Sequence, residues 1–191
     1  MKIILASQSP RRAAILDLAK IEYDIIKSNF EEKINSNLNL EEQSKELAYG
    51  KALDVFNNTQ GDRVIIGADT FVVKNDKIYG KPINRTNAIK MLHEIQGGVH
   101  SVYTSLAVLI ESKGEYKEYK EVVKTNIEVC NMSDDEIIEY VDKEKPYDKA
   151  GAYAIQSCFS VFVNKIEGNY MSIIGLPIDM VYRILKENEI I

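Results

Sequence analysis

A mixed-sheet α/β fold is the expectation for this chain of 191 residues, and three observations lead to it. Apolar, β-rich runs and helical patterns are interleaved along the chain, but irregularly. The chain opens on the core-like run Lys2-Ile3-Ile4-Leu5-Ala6, turns polar at Ser7-Gln8-Ser9-Pro10, and then takes up a helical pattern. Two long β-rich segments, Val102 to Ile110 and Tyr116 to Val129, flank the reversal signal Lys113-Gly114 and form the best hairpin candidate. Irregular interleaving favours a mixed sheet over a regular parallel barrel.

The elements follow in order. Pro10 suits the first turn of a helix, where its missing amide would have had no partner, with Ser9 as a candidate cap. Ala14, Ile15, Leu18 and Ala19 supply the apolar face of that helix. Tyr23 to Ile26 reads as a short second strand, and the polar stretch Asn29 to Asn39 as loop. A helix from about Leu40 to Phe56 presents Leu47, Ala48, Ala52, Leu53 and Phe56 to a core. The run Val64 to Val73 is a strand interrupted by Asp69 and Thr70, and Asn75-Asp76-Lys77 turns the chain back into Ile78 and Tyr79. A helix from about Asn84 to Ile95 is stopped by Gly97-Gly98. Ser133 and Glu136 have capping-box spacing at the head of a helix that ends near Glu144. Strands are expected around Val161 to Ile166 and Tyr170 to Ile174, and Pro177 opens a last helix to about Glu189. With no internal repeat and no dividing linker, one domain over residues 1–191 is expected.

Hydrophobic residues at 45% and charged residues at 28% suit a soluble globular protein rather than a disordered or fibrous one. A formal charge of -5 argues against broad attraction to nucleic acid or acidic membrane, although a locally basic cleft can still receive a small anion. No stable nucleic-acid partner is therefore expected. Cys130 and Cys158 have neither the number nor the spacing of a zinc site or a disulfide scaffold. No basic-then-apolar leader is evident, and no apolar stretch reaches the ~20 residues that span a bilayer. The expectation is a cytoplasmic protein without a membrane association.

Several polar groups fall where chemistry can use them, at what read as strand exits and loops. The guanidinium groups of Arg11 and Arg12 match phosphate oxygens, and the helix amides behind Pro10 add a positive dipole end; two solvated arginines at a helix start are the plainer reading. Asp69 lies within an otherwise apolar stretch, where an unpaired carboxylate would be costly to bury. It can hold a metal, orient or deprotonate water, or cap a turn. Glu31 and Glu32 can hold magnesium or manganese beside phosphate, or simply belong to a charged loop. Lys51, Lys81 and Lys149 can neutralise phosphate, and Lys81 has the most constrained setting, between Gly80 and Pro82. There is no GxxxxGK[ST] loop, GxSxG elbow or HExxH helix. His93 and His100 lack metal-ligand spacing and read as structural or surface residues.

Taken in order, Ser7-Gln8-Ser9-Pro10-Arg11-Arg12, Glu31-Glu32, Gly67-Ala68-Asp69-Thr70, Gly80-Lys81-Pro82, Asp148-Lys149-Ala150-Gly151-Ala152-Tyr153 and Gly175-Leu176-Pro177 make the chain resemble the Maf family of nucleoside triphosphate pyrophosphatases over nearly its whole length. The resemblance implies the Maf/inosine triphosphate pyrophosphatase fold. It also implies hydrolysis of a nucleoside triphosphate to monophosphate and pyrophosphate with a divalent cation, Mg2+ or Mn2+. By that resemblance Asp69 is the general base or water activator, and Arg11, Thr70 and Gln156 match positions that select the base in the branch preferring dTTP and UTP. Ser7, Arg12, Lys51, Lys81 and Lys149 belong to the substrate-binding set. Glu32 and Asp69, with Glu31 as a third candidate, form the metal side. Glu31 stands where aspartate is frequent, which changes reach more than charge. The resemblance also allows a homodimer. Two competing readings are a nucleotide-sensing regulator of septation and a phosphomonoesterase, which would release orthophosphate instead of pyrophosphate.

Overall fold

A computed structural model describes residues 1–31 and 38–191. Among them a seven-stranded mixed sheet has the order β2-β1-β3-β5-β6-β7, with β4 paired to β3. The strands are β1 (Lys2–Leu5), β2 (Asp24–Ile25), β3 (Arg63–Lys74), β4 (Lys77–Tyr79), β5 (Gly98–Ser112), β6 (Glu115–Val129) and β7 (Val163–Glu167). The helices are α1 (Pro10–Leu18), α2 (Leu40–Asn57), α3 (Arg85–Ile95), α4 (Asp134–Glu144), α5 (Tyr170–Ile174) and α6 (Ile178–Glu187). β1 runs parallel to both β2 and β3, while β3 with β4 and β6 with β7 are antiparallel.

Contacts group the chain into two compact units: Met1–Asp69 with Thr104–Val123 and Gly175–Ile191, and Thr70–Tyr103 with Lys124–Ile174. The boundaries fall inside β3, β5 and β6, so no linker in the sequence marks them.

In the first unit α2 packs on the sheet through Ala48, Ala52 and Val55, against Ile4, Ala6, Ile65, Ala107 and Leu109. Burying each of the larger aliphatic side chains contributes ~1.5–3 kcal/mol. The start of α2 is secured by a capping box: Glu42 N–H donates to Asn39 Oδ1 (2.9 Å) and Asn39 N–H to Glu42 Oε2 (3.3 Å). Gly67 on β3 is where helix and strand come closest. A Cβ there would meet Ala48 O at 2.4 Å and Ala52 Cβ at 2.8 Å, so a larger residue would push α2 off the strand.

The second unit is centred on α3, α4 and a cluster of rings. Phe159, fully buried, stacks on Tyr153 (4.5 Å between centroids) and meets Tyr140 edge-on (5.3 Å). The Ser133–Glu136 capping box forms as expected at the head of α4. Both anticipated tight reversals also form. Asn75 and Asp76 take φ of 51° and 60°, and Lys113 and Gly114 take 53° and 83°, the two successive positive values that a two-residue hairpin turn requires.

Three local expectations are corrected. Tyr170–Ile174 is a short helix rather than a strand: Asn169 Oδ1 accepts from Ser172 N–H (3.1 Å) and starts a helical turn after Gly168. Cys158–Phe162 forms a 3-10 turn, so the strand expected from Val161 begins at Val163. Ser9 makes no side-chain cap on α1; its own N–H donates to Ser7 Oγ (3.2 Å). Asp69 lies inside β3, within the strand expected over Val64 to Val73.

Candidate active site

In the first unit β1 delivers the chain into Ser7, which is 9% exposed. Its hydroxyl oxygen accepts from Ser9 N–H and from Arg12 Nη1 (3.0 Å), while Arg12 Nε donates to Gly175 O (2.9 Å). Arg12 therefore joins the opening motif to the terminal Gly175-Leu176-Pro177 motif. Its planar fork suits this, because two donors in one plane reach two acceptors on different segments. Arg11, beside it in the first turn of α1, is half-buried.

The second feature of this unit is Asp69. Alternation along β3 puts Ile65, Gly67 and Asp69 on the face that meets α2. The close approach at Gly67 brings α2 near enough for Lys51 Nζ to donate to Asp69 Oδ1 at 2.6 Å. Both side chains are largely sequestered, at 13% and 11% exposure. Leaving either unpaired would carry the desolvation cost of an isolated charge, and the contact with Lys51 orients the Asp69 carboxyl group. A carboxylate accepts at both oxygens, and it is also a hard donor for magnesium or manganese.

In the second unit Gly80 O accepts from Gly151 N–H (3.0 Å), tying the Gly80-Lys81-Pro82 loop to the Asp148–Tyr153 segment. Gly151 has φ of 69°, and a Cβ there would meet Val72 Cγ2 at 3.0 Å and Ile95 Cδ1 at 3.1 Å. Glycine is required on both counts. Lys81 is exposed in that loop, Lys149 Nζ reaches Asp148 Oδ1 at 2.7 Å, Thr70 is half-buried on β3, and Gln156 is exposed. Tyr153 anchors the segment from below: its hydroxyl lies 2.7 Å from His100 Nε2. Burial pushes the Tyr153 hydroxyl well above the usual tyrosine range and lowers His100 to about 4, with the charge of Lys74 adding to the effect on His100. His100 is thus a neutral structural residue. His93, on the exposed face of α3, lies 3.8 Å from Asp134.

Each unit thus gathers part of the expected set: Ser7, Arg11, Arg12, Lys51 and Asp69 in the first, Thr70, Lys81, Lys149 and Gln156 in the second. Glu31 is described and exposed, whereas the expectation for Glu32 lies outside the described residues. Among the described residues no three acidic, His or Cys side chains cluster to hold a metal ion. Sequence reasoning missed the Arg12–Gly175 bond, which spans 163 positions, and the close approach that seats Lys51 on Asp69. A glycine inside a strand pattern was the one signal for the latter.

A lysine-held carboxylate buried on a strand and arginines at the head of the first helix are groups that the hydrolysis of a phosphate substrate can use. A Maf-like protein family profile matches residues 2–188. A dTTP/UTP pyrophosphatase from Thermoanaerobacter sp. (strain X514) is 40% identical over 186 residues, covering 97% of this chain and 96% of that protein. Those from Alkaliphilus oremlandii (strain OhILAs) and Thermosipho africanus (strain TCF52B) are 44% identical over 180 residues and 41% over 191, covering 93% and 100% of this chain and 91% and 95% of theirs. The chain belongs to the Maf family.

Proposed function

We propose that the protein hydrolyses dTTP and UTP to the nucleoside monophosphate and pyrophosphate. The observation that carries the reading is the Lys51–Asp69 pair: a carboxylate on a buried strand, aimed by an ammonium at 2.6 Å, is a suitable acceptor for the proton of an attacking water. Its relatives' activity, at 40–44% identity over most of the chain, supports the choice of nucleotide. Water adds to the α-phosphorus, its proton passes to Asp69, and the bond to the bridging oxygen breaks so that pyrophosphate leaves with the electron pair. Arg12, with Ser7 beside it, and Lys81 and Lys149 offset the charge on the phosphates. Arg11, Thr70 and Gln156 select the base.

The donor chemistry suits a magnesium or manganese ion that takes most of its ligands from phosphate and water and only one or two from carboxylates. Asp69, Glu32 and Glu31 would hold it, and when bound it would supply further charge neutralisation at the phosphates. Among the described residues no helix is long and apolar enough to cross a membrane. The proposal places the enzyme in the cytoplasm, without a stable nucleic-acid partner and with a homodimer as the assembly to test.

Product analysis tests this directly. Incubation with dTTP or UTP and Mg2+ should yield pyrophosphate and monophosphate in equal amounts from the first turnover. Orthophosphate as the sole initial product would make the protein a phosphomonoesterase. Binding without turnover would make it a sensor.

A further inference from the structure

Three consecutive residues just before Glu31 are fastened to a single turn of α2. Ser28 Oγ donates to Asp54 Oδ2 (2.9 Å), Asn29 N–H donates to the same oxygen (2.7 Å), and Phe30 N–H donates to Ser28 Oγ (3.0 Å). The Phe30 ring ends on Gly50. A Cβ at residue 50 would lie 2.3 Å from ring Cζ and 2.4 Å from Cε2. After proline, glycine is the residue least suited to a helix interior, yet here it makes a notch that the ring occupies. Gly50 and Asp54 lie on either side of Lys51 in the sequence, so the segment is fixed to the same stretch of helix that presents Lys51 to Asp69. Phe30 remains 38% exposed, so filling the main core does not account for its position.

We propose that Phe30, Gly50 and Asp54 form a clamp that positions Glu31 as a group that would help to hold the metal ion. The inference rests on the metal-side reading of Glu31 given above. The clamp acts through backbone placement: it fixes the segment that carries Glu31 to α2, and α2 is itself set against β3 by the close approach at Gly67. The three residues are positioning residues and touch no reacting atom.

Gly50→Ala separates this role from a structural one, because alanine favours the helix while its methyl group displaces the ring. The melting temperature should stay level or rise, and amide exchange at Asn29 and Phe30 should quicken. The Mn2+ concentration giving half-maximal pyrophosphate release from dTTP should rise by ~10-fold, the scale on which residues supporting a metal's ligands act, with kcat at saturating Mn2+ little changed. Phe30→Leu should behave alike, and the double variant should be no worse than either single one, since both act through one contact. If Gly50→Ala does not fold, Phe30→Leu alone carries the test and leaves α2 intact. Unchanged exchange would overturn the clamp. Faster exchange with an unchanged Mn2+ requirement, or additive losses in the double variant, would overturn its positioning role. A wild-type protein that releases no pyrophosphate defeats the pyrophosphatase reading, and this proposal with it, whatever the exchange data show.

Discussion

Arg63 and Asp69 stand six positions apart on β3, in the same compact unit and with similar burial, 4% and 8% exposed. Their surroundings differ. Arg63 Nε donates to Thr59 Oγ1 (2.9 Å), Nη1 to Gly61 O (2.6 Å) and to Glu111 Oε2, and Nη2 to Phe56 O (3.0 Å). Its guanidinium also lies 4.2 Å from the centre of the Phe56 ring. These contacts tie the last turn of α2, through Phe56 O, to the loop that follows it and leave the cation no work beyond holding that junction. Asp69 is met by a lysine whose ammonium is a point donor on a flexible stem, a partner that orients a carboxylate without enclosing it. Burial is therefore a poor guide to which charge is functional. The way the protein saturates the charge is a better one.

Asp69→Asn gives the largest expected effect and tests that contrast directly. The amide keeps the volume and the place on β3 but loses the negative charge, so turnover of dTTP should fall about 100-fold or more, the scale of general-base help. Nucleotide and metal affinity should be measured alongside. Recovery of normal turnover at saturating metal would mean that Asp69 only holds the cation.

Arg63→Met should do the opposite. It removes the charge, takes the Arg63 donors from Gly61 O, Phe56 O and Thr59 Oγ1 and leaves Glu111 without its cation, costing about 3 kcal/mol once the partial exposure of Glu111 is allowed for. A drop of roughly 6–12 °C in melting temperature is expected for a chain of this size. The folded fraction should retain kcat. A large loss of kcat at a temperature where the variant is folded would break the distinction between the two residues.

What the sequence disclosed depends on how far apart the interacting groups are. The Ser133–Glu136 capping box and the reversals at Asn75-Asp76 and Lys113-Gly114 are written within four residues, and all were legible. Tyr170–Ile174 misled because its tyrosine and isoleucines favour strands, while the helix depends on Asn169 capping it from outside the apolar run. Ser9 was in the right place to cap α1, yet the hydroxyl that matters is Ser7's, drawn to Arg12. Asp69 stood out because one carboxylate among apolar residues demands a partner. Its partner could not be chosen from several lysines, because the choice is made by the packing of α2 at Gly67. The Arg12–Gly175 and Phe30–Gly50 contacts are likewise tertiary and have no local signature.

A third buried ionisable group, His100, sharpens the comparison with the smallest effect, because the protein accommodates it by keeping it neutral. It is 2% exposed, its Nε2 pairs with the Tyr153 hydroxyl, and its Nδ1 has no hydrogen-bond partner among the described residues. Burial first, and the nearby Lys74 cation second, lower it from 6.5 to about 4. In the unfolded chain the imidazole takes up its proton near 6.5, whereas the folded protein resists until about 4, so between these values the unfolded state binds more protons. The stability that neutral His100 contributes is therefore fully present above about 6.5, is lost as the pH falls through this window, and levels off below about 4. Going from about pH 7.5 to about pH 5 should cost on the order of 2 kcal/mol from this group. Melting curves across that range, for the wild type and for His100→Gln, isolate it: glutamine can still reach the Tyr153 hydroxyl but does not titrate. The variant should show a shallower fall in stability with acid. Parallel curves for the two proteins would mean that His100 takes up its proton as readily in the fold as in the unfolded chain, so that burial does not hold it neutral.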